Sequence, residues 1–130
     1  MPSLKIAATD RSPEVDFDFD NNRLRLKGES YPEDVAAFYG PVFEALDDYF
    51  SRLRDGACSF NFELIYFNSS SAKAIMSLLE KLDAAAAAGA SVTVNWYYDE
   101  EDDTMKELGE EFGEDLVYAE FRLKKLAAET

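Results

Sequence analysis

Two adjoining segments, CSFNFELIYF at residues 58–67 and NSSSAKAIM at residues 68–76, decide the fold. In the first, Cys58, Phe60, Phe62, Leu64 and Tyr66 recur at every second position, which places them on one face of a strand. Ile65 and Phe67 add apolar groups on the opposite face, so the strand is expected to be central and buried on both sides near its end. After the polar turn at residues 68–71, the apolar positions change period. Ala72, Ile75, Met76, Leu79, Leu82 and Ala86 follow one stripe of a helix, and Gly89 is placed to cap its end.

Working outward, Val15, Phe17 and Phe19 alternate with Asp16, Asp18 and Asp20, and beyond Asn21 and Asn22 the residues Leu24 and Leu26 alternate with Arg23, Arg25 and Lys27. Both halves have period two, so they predict a hairpin with one apolar face and one face of acid–base pairs. A two-residue turn at Asn21 and Asn22 would pair Asp20 with Arg23, Asp18 with Arg25 and Asp16 with Lys27. The aspartate stripe is therefore read as structural rather than as a cation site.

Ser30 is expected to cap a first helix, with Pro32 in its first turn and Glu33 completing a capping box. Val35, Phe38, Val42, Phe43, Leu46, Tyr49 and Phe50 carry that helix, with a kink or restart expected at Gly40 and Pro41. Residues 91–98 read as a strand and residues 99–103 as the acidic entrance to a third helix holding Met105, Leu108 and Phe112. Residues 116–123 read as a last strand, followed by a short helical or frayed tail from Lys124. With a short strand at residues 4–7, the fold class is α/β: one domain over residues 1–130, a mixed sheet with an N-terminal hairpin, right-handed crossovers and about three main helices.

Composition narrows what such a domain can do. Of 130 residues, 13 are Lys or Arg and 27 are Asp or Glu, giving a formal net charge of −14, while 47% are hydrophobic. That apolar content supports a packed core, and the charge disfavours nucleic acid and anionic membranes as partners. The absence of His removes the imidazole base of hydrolytic triads and the common zinc ligand. A lone cysteine, Cys58, allows no internal disulfide and reads as a small core hydrophobe. No segment approaches the roughly 20 apolar residues of a membrane helix. No cofactor or metal is expected, and the cytoplasm is the expected location. A small acidic enzyme using paired carboxylates, Glu63 among them, is the weaker alternative.

The turn at Asn68, Ser69, Ser70 and Ser71 is the position where chemistry is expected. It delivers three hydroxyls to a helix N-terminus, where free amides and the helix dipole favour negative charge, with Lys73 one turn away. Capping explains such residues in part; phosphorylation is the functional reading, since a phosphoserine carries about −1.5 to −2 charges that this site would hold. Tyr97, on the face opposite Val94 and Trp96, is expected to face a partner, whereas Tyr98 reads as core.

Together, the segment Gly28-Glu29-Ser30-Tyr31-Pro32-Glu33, the segment from Tyr66 through Met76 and the segment Trp96-Tyr97-Tyr98-Asp99 resemble the STAS (anti-sigma factor antagonist) fold and, more closely, the SiaC-type bacterial regulatory phosphoproteins. The resemblance implies a non-enzymatic switch in biofilm control. It further implies a cognate Ser/Thr kinase, a PP2C-like phosphatase and a diguanylate cyclase that the unmodified form stimulates. The family's phosphoacceptor follows the Asn, which places it at Ser69, with Ser70 and Ser71 as alternatives; the family's usual Thr is replaced by Ser here. An anti-sigma factor antagonist that binds a serine kinase is the competing circuit.

Overall fold

The alternating segments on either side of Asn22 fold back on one another and begin a six-stranded sheet. The computed structural model describes residues 3–126. In chain order these form β1 (Leu4–Ile6), β2 (Glu14–Asp18), β3 (Arg23–Ser30), α1 (Val35–Leu53), β4 (Ala57–Phe67), α2 (Ser69–Ala87), β5 (Ser91–Tyr98), α3 (Asp103–Glu114) and β6 (Glu120–Lys125). The strands lie side by side in sequence order, antiparallel from β1 to β3 and parallel from β3 to β6. The mixed α/β architecture read from the sequence is therefore present. All three crossovers step the same way across the sheet, and crossovers of one hand stepping one way place their helices on one face.

That face holds the core. Phe17, Leu24, Leu26, Phe60, Phe62 and Trp96 are completely buried against Tyr39, Val42 and Leu46 of α1 and Ile75, Leu78 and Leu82 of α2. The opposite face stays open, so β4 is central but covered on one side only, contrary to the sequence expectation. A bulge explains the difference. Pairing of β3 with β4 passes from Gly28↔Leu64 to Glu29↔Tyr66, which leaves Ile65 as an extra residue. Alternation reverses across it: Leu64 faces the core, Ile65 and Tyr66 are 64% and 51% exposed, and Phe67 returns inward beside Trp96 and Phe112. Met76, expected in the buried stripe of α2, is also exposed.

Three further expectations are corrected. The hairpin turn comprises residues 19–22 rather than two asparagines, so the register slips by two: Asp18 pairs with Arg23, Asp16 with Arg25 and Glu14 with Lys27. Phe19 drives the slip, since it is buried and stacked 4.9 Å from Tyr49 instead of lying in the strand. An even slip leaves every side chain on its predicted face. Helix α1 is capped by Asp34, whose carboxylate accepts the Ala37 amide at 3.0 Å, because Ser30 is consumed by β3. Pro41 lies within α1 without a restart; both it and Ala37, whose carbonyl loses its helical donor, are exposed, where water serves that oxygen.

The third correction concerns the C-terminal end. Residues 116–119 are a bend, and β6 starts only at Glu120 and continues through Lys125. The bend is tied to α2 by Asp83, whose carboxylate accepts the amides of Tyr118 at 2.8 Å, Ala119 at 2.9 Å and Val117 at 3.2 Å. Tail residues 127–130 lie outside the described residues. Helix α3 sits close to the sheet because Gly109 and Gly113 face Trp96 and Phe121 with no side chain between them.

Across the open face runs a continuous row of paired positions, Lys5, Asp16, Arg25, Asn61, Asn95 and Arg122. Arg25 anchors it, 2.6 Å from Glu14, 3.6 Å from Asp16 and 3.7 Å from Glu63. The aspartate stripe is thus structural, as expected. By strand alternation this face collects Lys5, Arg23, Arg25, Lys27, Arg122 and Lys124 against Glu14, Asp16, Asp18, Glu29, Glu63 and Glu120. Six cations meet six acids, so the net charge of −14 falls on the rest of the molecule.

Candidate functional site: the serine turn at the head of α2

Strand β4 ends at Phe67, and Asn68 turns the chain into α2 in an extended conformation. An α-helix leaves its first amides without helical acceptors. Here the Asn68 amide donates to the Ser30 carbonyl at 3.2 Å, and the Ser71 amide donates to Asn68 Oδ1 at 2.9 Å. The amides of Ser69 and Ser70 have no such acceptor among the described residues, and both residues are exposed at the positive end of the helix. Lys73, also exposed, follows one turn on.

Ser71 differs from its neighbours. It is completely buried, and its hydroxyl accepts a hydrogen bond from Ser30 Oγ at 2.9 Å. Ser30, equally buried, bonds in turn to Tyr39 Oη at 2.6 Å. Since Ser30 gives its proton to Ser71, Tyr39 is the donor in the second bond. A buried relay thus runs from α1 through the end of β3 to the third residue of α2. Burial raises the Tyr39 phenol above its ordinary range, only partly offset by the bond to Ser30, so it stays a neutral donor.

The turn therefore separates the serines by chemistry: two offer free hydroxyls to solvent and one is part of the scaffold. Sequence reasoning missed Ser30 and Tyr39 as the supports of this turn. A serine three residues before Glu33 and two before Pro32 resembles a cap, and no local signal links residue 30 to residue 71. Tyr97 is not brought to the turn. It lies half-buried on the open sheet face with Lys124 Nζ 5.9 Å from its ring centre, while Tyr98 is core as read.

Elsewhere the chemistry is quiet. The thiol of Cys58 is buried and its pKa is pushed up to about 11 by desolvation, partly offset by a bond to Tyr49. The acidic entrance to α3 caps itself, with Asp102 accepting the Met105 amide at 3.0 Å and Asp99 the Glu101 amide at 2.9 Å. Among the described residues, no three His, Cys, Asp or Glu side chains gather as metal ligands, and no helix is long and apolar enough to cross a membrane.

A small α/β domain that presents exposed hydroxyls at a helix N-terminus, held by buried scaffold bonds, has the arrangement a regulatory phosphoprotein needs. The family model for SiaC regulatory phosphoproteins matches residues 6–126. An uncharacterised protein of Pseudomonas aeruginosa strain UCBPP-PA14 is 35% identical over 120 residues, covering 91% of this chain and 93% of its own. Apo-SiaC from Pseudomonas aeruginosa superposes with a TM-score of 0.88 at 31% identity, covering 95% of this chain and 99% of that one. SiaC solved in complex with the diguanylate cyclase SiaD, which it activates, gives 0.89 at 31% identity with the same coverage. This chain belongs to the SiaC family of regulatory phosphoproteins.

Proposed function

We propose that this protein, working as one regulatory domain in the cytoplasm, binds and stimulates a diguanylate cyclase in its unmodified state and releases it when Ser69 is phosphorylated. The carrying observation is the turn itself: Ser69 is the first residue of α2 and exposed, its amide and that of Ser70 have no acceptor among the described residues, and Ser71 is buried and bonded. The relative's complex with a cyclase supports the choice of partner. A phosphate at the first helical position meets free amides and the helix dipole, so the modified turn is electrostatically favourable in an otherwise acidic molecule. A cognate Ser/Thr kinase writes this mark and a PP2C-like phosphatase removes it. The protein is acted upon by enzymes and catalyses nothing itself, in keeping with a sequence that has no His.

The test is incubation with the cognate kinase and ATP, followed by mass-spectrometric mapping. Phosphate is expected on Ser69; modification of Ser70 instead would move the acceptor by one residue, and no modification of residues 69–71 would overturn the proposal. In calorimetry against the cyclase, Ser69→Ala is expected to keep wild-type affinity and Ser69→Asp to weaken it. Equal affinities for the two would refute charge at this turn as the switch.

A further inference from the structure

Between the second half of α2 and the bend at residues 116–119 lies a groove of about 270 Å³ whose floor is apolar, made by Met76, Leu79, Phe112 and Leu116. Its edge continues outward as exposed apolar surface: Met76 is 43%, Tyr118 66% and Val117 76% exposed. A soluble protein rarely leaves adjoining apolar side chains so exposed unless something covers them. This surface is also preformed. Asp83 holds the amides of all three residues from 117 to 119, so the backbone that presents Val117 and Tyr118 is fixed before anything binds. Glu80 and Asp115 also line the groove and add carboxylates, with the acidic residues Glu111 and Glu114 on the adjoining helix.

Residues 69, 73, 76, 80 and 83 are spaced along one stripe of α2, and Ser69 and Met76 are seven residues, about 10 Å, apart along its axis. This stripe is polar in the electrical sense: the helix N-terminus and Lys73 are at one end, Glu80 and Asp83 at the other. An occupant complementary to it must bring an apolar side chain to the groove, Lys or Arg beside Glu80 and Asp115, and an acidic or neutral group to the serine turn.

We infer that the groove is where the regulated cyclase docks, through a segment with a large apolar anchor flanked by basic residues. This inference rests on the proposed function and adds the surface and the partner's chemistry. It also explains the sense of the switch. The groove itself is unchanged by the modification, but phosphorylation of Ser69 turns the far end of the same stripe from positive to negative and repels the group that faced it, so the partner is released.

Two measurements test it on the full chain. The first compares cyclase affinity of wild type with Tyr118→Ser and Glu80→Lys, both at exposed positions; a loss of at least tenfold in each is expected, and affinities within twofold of wild type would overturn the inference. The second follows backbone amide resonances during titration with a nine-residue acetylated peptide holding one phenylalanine between lysines, and with its lysine-to-glutamate counterpart. Shifts are expected at residues 76–87 and 112–118 with the basic peptide alone. If wild type does not bind the cyclase, the functional reading falls and the peptide decides the groove: shifts there retain an acid-rimmed docking groove for another partner, and their absence removes it.

Discussion

Replacing Ser30 by Ala tests whether the serine turn is held from beneath. The substitution deletes a hydroxyl that accepts from Tyr39 at 2.6 Å and donates to Ser71 at 2.9 Å, with all three residues completely buried. Tyr39 Oη then keeps a buried donor without a partner, a cost of about 1–3 kcal/mol, and the lost bond to Ser71 adds about 1 kcal/mol. The expected destabilisation is about 2–4 kcal/mol. A chain of 130 residues has an unfolding entropy of roughly 0.27 kcal/mol/K near its midpoint, so the melting temperature should fall by about 7–15 °C. Tyr39→Phe removes the orphaned donor, so the double variant should be less damaged than the sum of the single variants, with a coupling of about 1–2 kcal/mol. Calorimetric melts of the four proteins measure both quantities, and hydrogen exchange at the Ser71 amide reports whether its cap on Asn68 loosens. A Ser30→Ala loss under about 0.5 kcal/mol, or a strictly additive cycle, would refute the relay as a support.

Gly109→Ala would set a methyl group 2.6 Å from Trp96 Nε1, and Trp96 cannot yield because it is buried and donates to the Met105 carbonyl at 3.1 Å; a loss of about 1–3 kcal/mol and altered tryptophan fluorescence are expected in a urea titration. Burial raises the Asp83 carboxyl, but the amides of Ala119, Tyr118 and Val117 outweigh it and hold the pKa below the ordinary value. Its folded value is thus below its unfolded one, so its stabilisation is complete above the unfolded value of about 3.9 and disappears as pH falls through the folded value; melts of wild type and Asp83→Asn between pH 6 and pH 2 should converge in acid. Cys58, with a pKa near 11 and a buried sulfur, should resist iodoacetamide at pH 8 and label fully in urea, and mass spectrometry after native exposure would expose the error if it labels at once.

The residues whose environment is set by near neighbours declared themselves in the sequence. Period-two alternation in residues 15–26 placed every hairpin side chain on its correct face even though the register is two residues away, because an even slip preserves facing. The Asn-Ser-Ser-Ser turn could be located because capping is local: Asn68 reaches an amide only three residues on. Features that depend on residues far apart in the chain were hidden. The run Leu64, Ile65, Tyr66, Phe67 suggested two-sided burial when a bulge was reversing its alternation, and only pairing with Glu29 reveals that. Ser30 meets Ser71 across 41 positions, and Asp83 meets Val117 across 34. Within the candidate site, the exposed acceptor and its cap were therefore legible, but the scaffold beneath them and the groove beside them were not.

The balanced open face of the sheet has a consequence for how the molecule travels. With six cations matched to six acids on one side, the net charge of −14 is carried by the helices and the connecting segments, with α3 and the acidic run at residues 99–102 as its densest part. In the field of a basic partner it will rotate during diffusion so that this acidic end leads, which raises the fraction of collisions that are productive at low ionic strength. The charge-balanced face of the sheet, with Arg25 and Tyr97, takes no part in that steering.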